Sequence, residues 1–171
     1  MQNMLLEEVK YKVVETRSGT WRRHMSPAGM SYAEFKSKAT FLGLPLLHYT
    51  SGLCPETGRH TVARGVVAVG RLACGVLAVG HASFGLIAVG QLAVGLLFGL
   101  GQAATGLAAI GQAALGVVFG LGQLATGSIA IGQFAFGRLV LAQKGVGAHV
   151  WCMGRADPEA VAFFKHLLAG F

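Results

Sequence analysis

The stretch GVVAV-GRLAC-GVLAV-GHASF-GLIAV-GQLAV-GLLFGL, residues 65–100, carries a glycine at every fifth position. The same spacing continues to Gly147, and most pentads between read Gly-x-h-Ala-h, where h is an apolar residue. An internal repeat held over a long segment predicts the fold more strongly than local propensity does. The repeat therefore predicts an array of short extended segments, and it contains no pattern typical of an active site.

The size of the structural unit follows from three places where the spacing stretches beyond five residues. These are GLLFGL at 95–100, GVVFGL at 116–121 and GRLVLA at 137–142, so the stretched pentads begin at equal intervals. An insertion that recurs at every fourth pentad predicts that four pentads close one turn. Glycine is expected to supply the positive φ angles that the corners of a square coil need. The predicted coils are 65–84, 85–105, 106–126 and 127–147.

Stacking these coils predicts two polar sides that face away from each other and two apolar sides between them. One polar side carries Arg71, Gln91, Gln112 and Gln133, and the opposite one carries His81, Gln102, Gln123 and Lys144. The apolar sides carry Val66, Leu86, Leu107 and Ser128, and Val76, Leu96, Val117 and Arg138. The glutamine columns are predicted to hydrogen-bond as side-chain ladders, a structural role.

Pentads such as Gly-Gln-Leu-Ala-Val at 90–94 resemble the pentapeptide-repeat family, whose A-(D/N)-L-x-x units form four-sided, right-handed β-solenoids. The resemblance covers about half the chain and implies a mainly β protein, a right-handed four-sided β-solenoid of the four coils given above. The sequence departs from the family in its glycine, in glutamine or aliphatic residues for Asp/Asn, and in alanine and valine at variable positions. Some members mimic DNA through an acidic surface, but residues 65–142 contain no acid, so that function does not carry over.

The layout of GLPLLH at 43–48, the array, and DPEAVAFF at 157–164 is also similar to uncharacterised bacterial proteins with glycine-spaced arrays. That resemblance implies no activity.

Two arrangements of the pentad in a solenoid remain open. Strand alternation places the third and fifth positions inside, whereas the pentapeptide pattern places the glycine and the third position inside. Burial of the larger residues favours the first arrangement. In either case the exterior lacks charge, and contiguous apolar surface of this kind marks a protein or membrane contact.

Transmembrane helices are the competing interpretation, because the segment from Gly65 to Ala142 contains only two charged residues, both arginines. Five residues advance about 500° on a helix, so the glycines would wind around every face instead of forming one packing seam. The spacing therefore favours the solenoid.

The flanks are predicted to cap the array: residues 1–64 as short strands and loops, and 148–171 as a segment with a helix at about 158–169. Residues 4–14 suit a strand or a short helix, 17–31 a loop, 32–50 two strands with Pro45 at an edge or bulge, and 51–64 a turn. At the C-terminus Asp157 can cap the helix and Pro158 suits its first position. Val161, Phe164 and Leu168 are predicted to share its buried face.

Charge and cysteine usage exclude several classes of function. The net charge is +7, but residues 1–64 hold nine of the Lys and Arg residues scattered among five acids, so no nucleic-acid partner is expected. Three cysteines without CxxC spacing argue against a disulfide framework. Neither Cys54, His60 and His48 nor His149 and Cys152 have the spacing of metal ligands. No cofactor, metal, small-molecule substrate or catalytic set is predicted.

The sequence thus predicts a non-catalytic structural or interaction protein that self-associates or binds a protein partner through apolar solenoid faces. The contact residues would be Val66, Leu86, Leu107, Val76, Leu96 and Val117. The alternative is a membrane-associated protein whose array contacts or enters lipid. Residues 1–14 do not read as a signal peptide, which predicts a cytoplasmic protein.

Overall fold

The computed structural model describes residues 9–26 and 29–169 of the chain. These form two compact units, 1–86 and 87–171, whose boundary lies inside the array, whereas the sequence pattern placed boundaries after residues 64 and 147. Both units consist mainly of extended backbone, and one helix lies near the C-terminus. The prediction of a mainly β protein with a C-terminal helix is therefore confirmed.

The first unit begins with an antiparallel sheet, to which the array is joined in parallel. Its strands are β1 (Lys12–Glu15), β2 (Gly19–Met25), β3 (Ser31–Ser37) and β6 (Leu47–Gly52), in that spatial order. Between β3 and β6 the chain makes a separate small hairpin of β4 (Thr40–Phe41) and β5 (Leu44–Pro45). Strand β7 (Val62–Val69) then pairs in parallel with β6.

Residues 17–31 are not the predicted loop, because β2 occupies their centre. Trp21 lies opposite Phe35 in the β2–β3 register, and the two ring centroids are 4.9 Å apart. Aromatic pairs of this kind stabilise neighbouring strands, and here they outweigh the local Gly, Ser and Pro composition. Pro45 lies in the two-residue β5, an edge position that needs no ladder donor. Residues 1–8 lie outside the described residues. They include residues 4–8 of the predicted N-terminal element (4–14) and most of the segment (1–14) on which the signal-peptide prediction rests. The rest of the predicted element contains the beginning of β1.

The array forms one extended segment, β8 (Leu72–Cys152), which runs through both units. A straight strand of that length would measure about 270 Å, yet residues close in sequence lie side by side. Strand β7 pairs in parallel with the beginning of β8, from Val62 opposite Leu72 to Val69 opposite Val79. Residues that are two pentads apart in the sequence therefore lie side by side on neighbouring, parallel segments.

This offset recurs along the array in the contacts between glycines. In the second unit Gly111 lies on the carbonyl of Gly101, Gly122 on that of Gly111, and Gly132 on that of Gly122. The spacing is two pentads, with one extra residue where a pentad is stretched. We call each such pair of pentads a coil. The predicted coil of four pentads is wrong, because it counted two successive coils as one.

Glycine is required in the array for close approach and not for corners. A Cβ on Gly122 would overlap the carbonyl group of Gly111, and the same overlap recurs for the other stacked glycines. Among the described glycines of the array only Gly127 has a positive φ. Any side chain at these positions would push neighbouring backbones apart and break their pairing.

The core is lined by the residue at the fourth position of most pentads, which is usually alanine and is Ser83, Val140 or Val150 in three of them. Neither arrangement predicted for the pentad placed this position inside. The larger third-position residues lie outside instead, as the exposed Leu92 and Leu97 illustrate. The buried apolar residues that cluster along the array are Ala63, Ala68, Ala73 and Ala78 in the first unit, and Ala88, Ala93, Ala104, Ala109, Ala114, Ala125, Ala130, Ala135, Val140 and Val150 in the second.

The stretched pentads keep this core narrow. In GLLFGL the buried position is Gly99, while Phe98 is only partly buried, and in GVVFGL Gly120 replaces Phe119 in the same way. Because of the inserted residue, a glycine and not the preceding phenylalanine occupies the core position in each of these two pentads. GRLVLA contains no such insertion, because Gly147 lies on the carbonyl of Gly137, two regular pentads earlier.

The C-terminal segment consists of β9 (Arg155–Ala156), antiparallel to the end of β8, and α1 (Pro158–Ala169), as predicted. The carboxylate of Asp157 accepts the backbone N–H of Val150 at 2.8 Å and Arg155 Nε at 3.0 Å, so it fastens the helix to β8. The hydrogen bond from Arg155 lowers the pKa of Asp157. Phe164 is buried as predicted, but Leu168 is exposed.

Within residues 9–26 and 29–169, no helix combines the length and the apolar character needed to cross a membrane.

Close approach of the backbones predicts that Gly122→Ala destabilises the protein by about 2–3 kcal/mol, because the new Cβ overlaps the Gly111 carbonyl. Gly154→Ala is the matched control, since nothing lies within 4 Å of its Cβ position. Urea unfolding followed by circular dichroism measures both. Equal stability of the two variants would contradict the assignment of glycine to close approach.

The alanine core predicts that Ala109→Leu destabilises the protein by about 2–3 kcal/mol, because the site has no room for three more carbons. The neighbouring Ala108→Leu is expected to change stability by less than about 0.5 kcal/mol. Position 108 is equivalent to 97 and 118, where the chain already carries exposed Leu97 and Val118. If thermal melts ranked the two variants in the opposite order, the third position would be the inward one.

Candidate functional site

The glutamines of the array lie together on one face and not on two opposite sides. Five of them line a shallow groove of about 520 Å³ in the second unit. A coil of two pentads places the second residue of every other pentad in the same column, so both predicted polar sides merge into this one. Its lining is Gln91, Gln102, Gln112, Gln123 and Gln133, with Ala103, Ala113, Leu124 and Phe134.

Arg71 and His81 hold the equivalent pentad position in the first unit. They occupy successive coils, since the N–H of Ala82 donates to the carbonyl of Arg71 at 3.0 Å. The guanidinium of Arg71 lies 3.0 Å from Nε2 of His60, whose Nδ1 lies 3.0 Å from the carbonyl of Gly52. The geometry assigns the His60 proton to Nδ1, which leaves Nε2 to accept from Arg71.

Within the described part of the chain, no hydrogen bond is seen between two of these five amides, and the glutamine ladder stays a prediction. Each of these glutamines is exposed and keeps its amide donors and acceptor for solvent or for a ligand. The groove is therefore neutral, polar along one side and apolar along the other.

The alternate pentads of the second unit present large apolar side chains to solvent. We call Leu96, Leu97, Leu107, Val117 and Val118 the leucine–valine face. Leu96 and Val117 are 67% and 66% exposed, and the remaining three are also exposed. Ser128 Oγ donates to the carbonyl of Val117 at 3.3 Å, so the next coil continues the same column.

The other predicted contact residues hold the same pentad position in the first unit. Val66 is half-buried, and Val76 and Leu86 are exposed. Gly75 lies on the Gly65 carbonyl and Gly85 on that of Gly75, so these three residues occupy successive coils. Within each unit the two predicted apolar sides are thus one face.

A buried ionic cluster in the first unit is absent from the sequence prediction. The β2–β3–β6 register places Arg22, Glu34 and Thr50 opposite one another, with Lys36 and His48 one step along the same face. Glu34 and His48 are only 3% and 4% exposed. Oε1 of Glu34 lies 2.9 Å from Lys36 Nζ and 3.1 Å from His48 Nε2, and Oε2 lies 3.4 Å from Arg22 Nη1.

The protons of this cluster can be assigned from its geometry. The backbone N–H of Arg64 donates to His48 Nδ1 at 2.7 Å, so the imidazole proton lies on Nε2 and is donated to Glu34. Hydrogen bonds from His48 and then Lys36 outweigh burial and lower the pKa of Glu34 to about 2. Both imidazole nitrogens are therefore engaged, and the cluster fastens β3, β6 and β7 together.

The remaining histidine and cysteine candidates lie apart. His149 Nε2 is 3.0 Å from Glu159 Oε2, and Cys54, Cys74 and Cys152 are free thiols. Burial acts to raise the pKa of Cys54, but hydrogen bonds from Thr57 and Glu56 lower it overall. Within the described residues, no three His, Cys, Asp or Glu side chains converge as metal ligands would.

Comparison of the chain with protein-family models, curated proteins and solved structures finds no match in any of the three.

The depressed pKa of Glu34 predicts a specific dependence of stability on pH. The ionised carboxylate stabilises the fold fully above its ordinary pKa of 4.5, and this contribution is lost as the pH falls toward 2. Glu34→Gln should therefore lower the free energy of unfolding by about 2–3 kcal/mol at pH 7 and flatten its slope between pH 5 and pH 2.

The control is Glu15→Gln, which removes an exposed carboxylate 3.6 Å from Lys38 and should change stability by less than about 1 kcal/mol. Urea titrations at several pH values measure both variants. An unchanged slope in Glu34→Gln would show that the cluster does not stabilise the fold through ionisation.

Proposed function

We propose that the protein is a non-catalytic structural protein that associates with further copies of itself through the apolar side of its array. We also propose that the array is a β-solenoid whose coils contain two pentads. The regular two-pentad offsets support the solenoid, and the leucine–valine face supports the association.

The supporting observation for association is the exposure of large aliphatic side chains beside a core made of alanine. A folded chain normally buries such residues, since each fully buried leucine or valine contributes about 1.5–3 kcal/mol. In this array the glycine contacts hold successive coils close together, and the inward positions carry small side chains, mostly alanine. The larger side chains therefore leave apolar surface exposed to solvent, and a second molecule can cover it.

The magnitudes suit a stable contact. Covering five half-exposed side chains on each of two copies contributes on the order of 10 kcal/mol. Association costs about 4–15 kcal/mol in lost freedom of motion. The gain is therefore comparable with the cost, so the face supports an association that depends on concentration, and each further coil covered would strengthen it.

A second copy is the occupant that the chemistry favours. None of the five residues of the leucine–valine face is charged, and Arg138 holds the equivalent position two coils beyond Val117. Two faces that pair through these five residues alone therefore meet without desolvating an ion. Two copies also share the same spacing of coils, which brings their side chains into register along the whole contact. A different protein would have to supply a neutral apolar surface with a matching repeat.

The test is a double substitution, Leu96→Lys with Val117→Lys, measured by size-exclusion chromatography with light scattering in detergent-free buffer. Both side chains are exposed, so the fold should persist while the dissociation constant rises about a hundredfold or more. Gln102→Lys with Gln123→Lys adds the same charge in the glutamine groove and should leave the mass unchanged.

A monomeric wild-type protein would overturn the proposal. So would loss of association in the groove variant with retention in the other, because the contact would then lie on the glutamine side. Circular dichroism of each variant verifies that the β structure is retained.

A further inference from the structure

The hairpin of β4 and β5 has an unusual turn. Thr40 pairs with Pro45 and Phe41 with Leu44, which leaves Leu42 and Gly43 as the two turn residues. Their φ angles are +52° and +78°. Two successive positive φ angles define a type I′ turn, whose first position is normally Asn, Asp or Gly. A leucine in this conformation is strained, because its Cβ crowds the backbone.

The tip of the hairpin is also apolar and open to solvent. Leu42 is 88% exposed and Phe41 is 59% exposed, and Leu44 and Leu46 on the returning side are exposed as well. The backbone strain at Leu42 is therefore not offset by burial of its side chain. Strain that packing does not explain is characteristic of positions retained for an interaction.

The base of the hairpin holds the tip rigidly. Ser37 Oγ donates to the Ala39 carbonyl at 2.8 Å and accepts the N–H of Leu47 at 3.0 Å. The N–H of Leu46 donates to the Ala39 carbonyl at 2.9 Å, and the Leu46 carbonyl accepts the N–H of Val67 at 2.9 Å. The exposed apolar residues thus project from a fixed support on β3, β6 and β7.

A groove with two cationic side chains and one carboxylate in its lining lies beside the hairpin. Thr40, Leu44 and Pro45 line one side of a groove of about 620 Å³. Lys36, Arg64, His48 and Glu34 line it as well, and Arg22 is paired with the same Glu34. Lys36 and Arg22 are paired with this carboxylate, and Arg64 is a third cationic side chain at the groove. The sequence from Ala39 to Pro55 adds no acidic residue.

From these observations we propose that the Thr40–Pro45 hairpin inserts its tip into the surface of a bilayer that contains anionic phospholipids. Phe41 and Leu42 would enter the boundary of the acyl chains, and Lys36 and Arg64 would meet the phosphates above it. At such a surface the anionic phosphates lie above the acyl chains, so an apolar tip next to a cationic groove matches both layers. This site is independent of the leucine–valine face.

The test is co-sedimentation of the full chain with vesicles of phosphatidylcholine, with and without phosphatidylglycerol. Wild-type protein should sediment with the anionic vesicles and less with the neutral ones, and binding should weaken as salt is added. Leu42→Gly should weaken binding about tenfold. It should also raise the melting temperature, because glycine adopts the positive φ without strain. If Leu42→Gly gains stability and loses binding, Leu42 contributes to lipid binding and not to the stability of the fold.

Two further variants sharpen the result. Met153→Ser removes an apolar side chain that is 92% exposed at another turn, and it should bind as wild type does. Arg64→Gln keeps the backbone bond to His48 and should reduce binding to anionic vesicles and its salt dependence.

Several outcomes would overturn the proposal. One is an absence of binding to anionic vesicles, and another is equal binding by Leu42→Gly. Equal binding of wild type to neutral vesicles would remove the role of the cations. Loss of binding in Leu96→Lys with Val117→Lys, with Leu42→Gly unaffected, would place the lipid contact on the array.

Discussion

The contact of one glycine with the carbonyl group of the glycine a coil earlier controls the architecture of the array. The carbonyl occupies the space where a Cβ would lie, so the backbones approach as closely as the chain allows. Because the close approach repeats at every coil, the space enclosed between the two sides of a coil accommodates alanine and little more. The exchange of phenylalanine for glycine in the stretched pentads follows from the same limit.

This constraint inverts the usual distribution of apolar residues. In most domains the largest aliphatic side chains form the core, whereas here they lie on the surface, and the alanines bury little area each. The narrow core thus leaves apolar surface exposed in a regular pattern, on coils whose spacing is constant. The self-association that we propose would use both the composition and the repeat, and the neutral glutamine groove gives the second unit another face of different chemistry.

The first unit combines the array with features of a different kind. Its sheet positions an ionic cluster in which Glu34 receives hydrogen bonds from two strands, and His48 connects that carboxylate to the backbone of β7. The same strands support the Thr40–Pro45 hairpin, whose strained and exposed Leu42 has no counterpart in the array. Most of the charge of the chain lies in this unit.

The sequence by itself determined the β character of the array and the C-terminal helix. It predicted that the third-position residues point inward, and so missed Leu97 and Val118 of the leucine–valine face. It did not determine the coil. An insertion at every fourth pentad fits one coil of four pentads and also two coils of two pentads each, because both place it in the same column. Only the pairing of Val62 with Leu72 separates them.

The inward position was missed because the prediction assumed that large residues are buried. In the structure the backbones pack closely at glycine, and the interior of the array holds mostly small side chains. The cluster around Glu34 was missed for a related reason. Its members come from three strands, and the register that brings them together is set by packing such as that of Trp21 on Phe35. Local pattern fixes which residues are extended and which are apolar, but distances between strands are decided by the backbone and side-chain contacts of the folded chain.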